Sequence, residues 1–162
     1  MDFLGFFTWL ENTSLALAIA ESSWMFPTIE TLHVLALVLG VGSIAMLDLR
    51  LLGVSSRNMG VLQLSDEVLP WTWSAFVIAV ITGVLMFVSS ASRYFENIPF
   101  RIKIVLLLLA GINMAIFHFT SFRSVNDWND EIPTPIMARV AASLSLCFWV
   151  AVVFAGRWIG FV

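Results

Sequence analysis

The sequence predicts an all-α fold: a four-helix transmembrane bundle preceded by N-terminal interfacial amphipathic helix segments. Three observations predict it. Of 162 residues, 60% are hydrophobic and 12% charged, with mean hydropathy +0.95, whereas soluble domains carry about 25% charged residues. Four apolar runs, at roughly 27–49, 71–90, 100–122 and 135–159, are each long enough to cross a bilayer, because a spanning helix needs about 20 apolar residues. Finally, Pro27, Pro70, Pro99, Pro133 and Pro135 fall at or just before the expected helix starts, where a missing N–H costs little.

The chain divides into an N-terminal segment, 1–24, and a bundle, 25–162. The opening MDFLGFFTWLENTSLALAIAESSW has Asp2 where a signal peptide would be basic. Glu11, Asn12, Thr13 and Ser14 interrupt its apolar character. It reads as two short amphipathic helices at the interface, with Trp9 and Trp24 at headgroup depth. The loops are expected at 55–70, 92–100 and 123–135, which makes the bundle up-down-up-down. The single cysteine, Cys147, excludes a disulfide within one chain and reads as packing. The net charge of −3 argues against nucleic acid as a partner and leaves the lipid bilayer as the surrounding medium.

Side A denotes the side that holds both termini, and side B the other. Arg93, Arg101, Lys103 and Arg157 fall near side A, and Arg50, Arg57, Arg123 and Arg139 near side B. The balance is even, so the positive-inside rule does not assign an orientation.

The informative stretch is TIETLHVLALVLGVGSIAMLDLR, residues 28–50, an apolar run with ionisable groups toward both ends. Such groups in a spanning helix are costly and are functional candidates by default. His33 and Asp48 are 15 residues apart on span one, and Lys103 and His118 are 15 apart on span three. Fifteen residues rotate by a net of about 60° and rise about 22 Å, so each pair shares a face. Spans one and three run the same way, which predicts two polar tiers. Toward side A stand His33 and Lys103, with Glu30 one turn from His33. Toward side B stand Asp48 and His118, with Arg50 and Asn113 nearby.

Two histidines in a four-helix bundle suggest bis-histidine haem, but both imidazoles would need nearly the same depth. His33 and His118 differ by about 18 Å, so they are not expected to share one iron. The side A tier remains a candidate haem site, with His33 as axial ligand to the iron. Lys103 would be a second ligand or a cation for a propionate, and Glu30 the partner that orients His33. Gly40 and Gly42 would give a flat macrocycle room, or simply allow close helix packing. In the side B tier, Asp48 and Arg50 read as an interfacial ion pair and His118 as an imidazole held by Asp48 or Asn113. Its functional alternatives are a proton relay or a separate ligand. Met46 and Met137, at similar depth, would complete a copper or haem site or serve as packing.

SSWMFPTIETLHVLALVLGVGSIAMLDLRLLG together with RIKIVLLLLAGINMAIFH resembles an uncharacterised family of small bacterial four-span membrane proteins, over nearly the whole chain. The pattern is also distantly similar to CopD-type copper-resistance domains and to HemJ-type protoporphyrinogen oxidases. The HemJ-type resemblance implies haem b held through His33 and Lys103, and the family resemblance a multi-pass protein of the bacterial inner membrane. Three classes of function follow as expectations. The first is a b-type haem protein in electron transfer or in porphyrin- or quinone-linked redox chemistry, either an oxidoreductase or a subunit of one. The second is copper handling, against which the chain lacks clustered His, Cys and Met. The third is a cofactor-free accessory subunit of a larger membrane complex. Electron transfer through a single haem would call for a partner: a quinone, other membrane subunits or a homo-oligomer.

Overall fold

The computed structural model describes residues 3–161. Asp2, read above against a basic signal region, lies outside them. Every regular element among the described residues is helical. Helices α1 (Phe3–Glu11) and α2 (Ser14–Glu21) are too short to span. Four helices are long and apolar enough to cross a membrane: α3 (Met25–Leu51), α4 (Val61–Val88), α6 (Ile98–Phe119, continued through short turns to Trp128) and α8 (Ile136–Trp158, continued to Phe161). Their mean hydropathy is 2.0–2.1 over the most apolar stretch. The chain is therefore a multi-pass, all-α membrane protein.

The long helices pack as two hairpins, α3 on α4 and α6 on α8, joined along α3 and α8. The α3–α4 contact keeps one register over its length. His33 meets Thr82, Gly40 meets Ala75, and Ser43 meets Thr72, so each step up α3 matches a step down α4. Small or hydroxylated residues at these positions let the two backbones approach closely. On the opposite flank α4 and α6 meet through aromatic rings near side A, where Phe87 and Phe100 stack at 5.5 Å.

The connections differ from expectation: the loops expected at 92–100 and 123–135 contain the short helices Ala91–Glu96 and Val125–Trp128, and the first loop ends early. Pro70 does not begin a helix; it lies inside α4, which starts at Val61. The start is capped from far along the chain. The Asn129 carbonyl accepts from Val61 N–H at 3.0 Å, and Asn129 Oδ1 accepts from Leu62 N–H at 2.8 Å. Gly60 is required here, because a Cβ on it would lie 2.6 Å from the Asn129 amide. With its N-terminus capped, the polar stretch before Pro70 becomes helix. At 28 residues, α4 is about 42 Å long against a hydrocarbon core of about 30 Å. Its first turns therefore stand beyond the core on side B, and Trp71 and Trp73, both exposed, sit at interface depth.

That projection has its own core. Leu47 and Leu51 of α3, Val61, Leu64 and Val68 of α4, Val125 and Trp128 of α7 (Val125–Trp128), and Ala138 and Ala142 of α8 form one buried cluster. On side A, α1 docks against α5 (Ala91–Glu96). Glu11 Oε1 accepts from the Ser92 N–H at 2.7 Å, its Oε2 accepts from the Ser92 hydroxyl at 3.2 Å, and Phe7 packs between Phe87 and Phe95.

Candidate functional site

The side A interior is built around His33, which is 8% exposed. Its Nδ1 lies 2.9 Å from Thr82 Oγ1. The Thr82 hydroxyl also lies 2.7 Å from the Ile78 carbonyl and 3.2 Å from that of Ala79. A hydroxyl has one proton, and a carbonyl can only accept. Thr82 therefore donates to α4 and accepts from Nδ1–H. In the neutral ring this leaves Nε2 as a bare lone pair, and Nε2 is buried without a hydrogen-bond partner. Gly83 makes room for the ring, since a Cβ there would stand 3.2 Å from His33 Cε1.

Lys103 enters the same interior from α6. It is partly buried, and its stem runs along Gly156 of α8, where a Cβ would meet Nζ at 3.6 Å. Its ammonium is close enough to act electrostatically on His33. All four long helices thus contribute to this tier: His33, Thr82 with Gly83, Lys103 and Gly156. An aromatic group of Phe87, Tyr94, Phe100 and Phe95, reached by Phe7 of α1, packs at the side A ends of α4 and α6.

Glu30 has a different place from the one expected. It is exposed and does not orient His33; Thr82 does. The Glu30 carboxylate acts instead on Tyr94. Burial first, then that negative charge, push the Tyr94 phenol above its usual range, and Arg93 partly offsets them. The two glycines also separate. Gly40 is a close-packing position, 3.3 Å from Ala75 for an added Cβ, whereas Gly42 faces open space.

On side B the expected tier is dispersed. Asp48 is buried and turns to Ser145 of α8, with Oδ2 lacking a partner. Arg50 is fully buried and is not paired with Asp48. Its Nε donates to the Met59 carbonyl at 2.7 Å and its Nη2 to the Asn129 carbonyl at 3.2 Å. Two residues apart on a helix point in nearly opposite directions, so Asp48 faces α8 while Arg50 faces the loops. Asn113 donates to the Ala141 carbonyl at 2.9 Å. His118 is held by neither Asp48 nor Asn113; it is exposed, stacked on Phe122 at 5.4 Å. Lys103 of the same helix reaches the interior, but with α6 packed on α8 the net rotation of about 60° between the two residues leaves His118 outside. Met46 and Met137 are 49% and 59% exposed and face outward. Among the described residues no three His, Cys, Asp or Glu side chains converge as metal ligands.

Thr82, Gly83, Gly156 and Ser145 escaped the sequence reading. The sequence does carry a signal for the first two, a Thr-Gly pair inside the apolar run of span two.

No curated protein and no solved structure gives a match to the chain, so neither comparison adds a CopD-type or HemJ-type relative. One family profile covers residues 6–162, nearly the whole chain, and the chain belongs to that family, the family of unknown function DUF6644.

Proposed function

We propose that the side A interior is a haem-ligation site and that the chain is a b-type haem protein of the membrane, working in electron transfer or quinone-linked redox chemistry. One observation carries the reading: a buried imidazole whose Nδ1 is tied to Thr82 and whose Nε2 has no partner. Metal-bound histidines are held in this way, with one ring nitrogen donating to a protein group and the other left for the metal. A buried nitrogen lone pair without a partner is also unfavourable by about 1–3 kcal/mol, so a ligand on Nε2 would relieve a cost that the fold otherwise bears.

The residues fit the group in distinct roles. His33 would hold the iron, and Thr82 would hold the tautomer that exposes Nε2. Lys103 would supply a second ligand or balance a propionate. When bound, haem supplies one-electron chemistry between ferric and ferrous iron, and axial ligation sets its potential.

The test is the visible spectrum of the purified protein, oxidised and dithionite-reduced, with metal analysis on the same sample. A Soret band with sharp reduced bands supports the reading. Bound copper without haem would favour copper handling, and neither would favour an accessory subunit. Lys103→Arg separates the two roles of the lysine, because Arg keeps the charge but does not give up its proton to become a ligand. An altered spectrum or midpoint potential in Lys103→Arg supports ligation. An unchanged one assigns Lys103 to charge balance.

A further inference from the structure

An apolar groove of about 640 Å³ runs down the outside of the α6–α8 hairpin. Pro99, Ile102 and Leu106 line it from α6, and Cys147, Phe154 and Trp158 from α8. It begins at the side A ends of both helices. From Trp158 to Cys147 is eleven residues, about 16 Å of helix, and half of a hydrocarbon core is about 15 Å. The groove therefore reaches from the side A interface to the midplane, the depth of one leaflet.

Its outer end carries a fixed positive charge. Arg157 lies two helical turns from Val150, a groove-lining residue, and so continues that stripe to the interface. Arg157 is exposed, and its guanidinium sits 5.1 Å over the Phe161 ring. The cation is thus held at headgroup depth beside Trp158, where a planar guanidinium suits a phosphate.

We propose that this groove binds one acyl chain of an anionic phospholipid from the side A leaflet, with its phosphate at Arg157. The apolar length matches a single leaflet, and the charge at its mouth is complementary to the headgroup. A zwitterionic lipid fills the same groove without the net attraction. The proposal is independent of the haem reading, because none of these residues lines the His33 interior.

Cys147 provides a local readout. It is the chain's single cysteine, it is exposed, and it lies at the inner end of the groove. The protein, purified in a neutral detergent, is titrated with phosphatidylglycerol or with phosphatidylcholine of the same acyl chains, and the rate of Cys147 alkylation by N-ethylmaleimide is followed. Phosphatidylglycerol is expected to protect Cys147 at about fivefold lower concentration, the factor set by one interfacial arginine. In Arg157→Gln the two lipids should protect equally. Inorganic phosphate should give no protection, and Ala151→Phe, which fills the groove, should abolish the lipid dependence. Circular dichroism checks that the variants fold, and native mass spectrometry counts retained lipid independently of thiol reactivity. Equal protection by the two lipids in the wild type, a preference that survives Arg157→Gln, or protection by phosphate alone would each overturn the proposal.

Discussion

The two ends of the bundle are built on different principles. On side B, apolar residues from four helices close into one core, and Arg50 sits at its edge with two bonds to loop carbonyls. On side A, the interior holds a histidine and a lysine, each set against a glycine, with one imidazole nitrogen unpartnered. Side B also buries polar atoms without a partner, Asp48 Oδ2 and Arg50 Nη1 among them. What sets side A apart is therefore an imidazole nitrogen with an open lone pair, while stability is concentrated where apolar burial is greatest. The same α3 helix serves both ends, and the register of α3 on α4 connects them.

This contrast can be broken first at side B. Leu64 is 1% exposed inside the core cluster, so Leu64→Ala should cost about 2–5 kcal/mol. Leu108, 64% exposed on α6, should tolerate the same change with little loss. Thermal unfolding in one detergent compares them, and equal losses would mean that the side B core is not the stability centre. Arg50→Ala comes next, at about 3 kcal/mol, because two charge-assisted bonds from a fully buried guanidinium are lost. The same unfolding assay reads it, and any haem bound by molecules that remain folded should keep its wild-type spectrum.

Changes on side A should show the reverse pattern. Gly83→Val crowds the imidazole, since its Cβ alone would stand 3.2 Å from His33 Cε1. It should displace the ring and reduce haem occupancy more than it lowers the melting temperature. Thr82→Val removes the acceptor for Nδ1–H while keeping the shape. It should cost about 1 kcal/mol and shift the haem midpoint potential without eliminating the cofactor. A Thr82→Val protein with unchanged potential would show that the hydroxyl does not tune His33.

The fold was legible because hydropathy is local. Four apolar runs announce four spans whatever they pack against, and the two short N-terminal helices show in their interrupted apolar pattern. The start of α4 was not legible. Pro70 and the polar residues before it argue locally for a loop, and the cap that overrides them comes from Asn129. His33 stood out as an ionisable group in an apolar run. Thr82 did not, because a threonine in a span becomes informative only once the register of α3 on α4 is known. His118 was placed inward from a spacing that correctly relates two residues on one helix. That spacing says nothing about which neighbour the shared face meets. Arg50 and Asp48 looked like a pair because they are close in sequence, yet a two-residue offset on a helix turns them apart.

The central claim is that the two histidines are not equivalent: His33 is buried with its Nε2 unpartnered and is proposed to hold the haem, whereas His118 is an exposed ring on the outside of α6. The most direct test compares His33→Ala and His118→Ala, purified in parallel at matched yield, by their reduced-minus-oxidised spectra. The account predicts that His33→Ala loses the haem bands while His118→Ala keeps them at wild-type intensity. Equal loss in both variants, or full retention in His33→Ala, would contradict it.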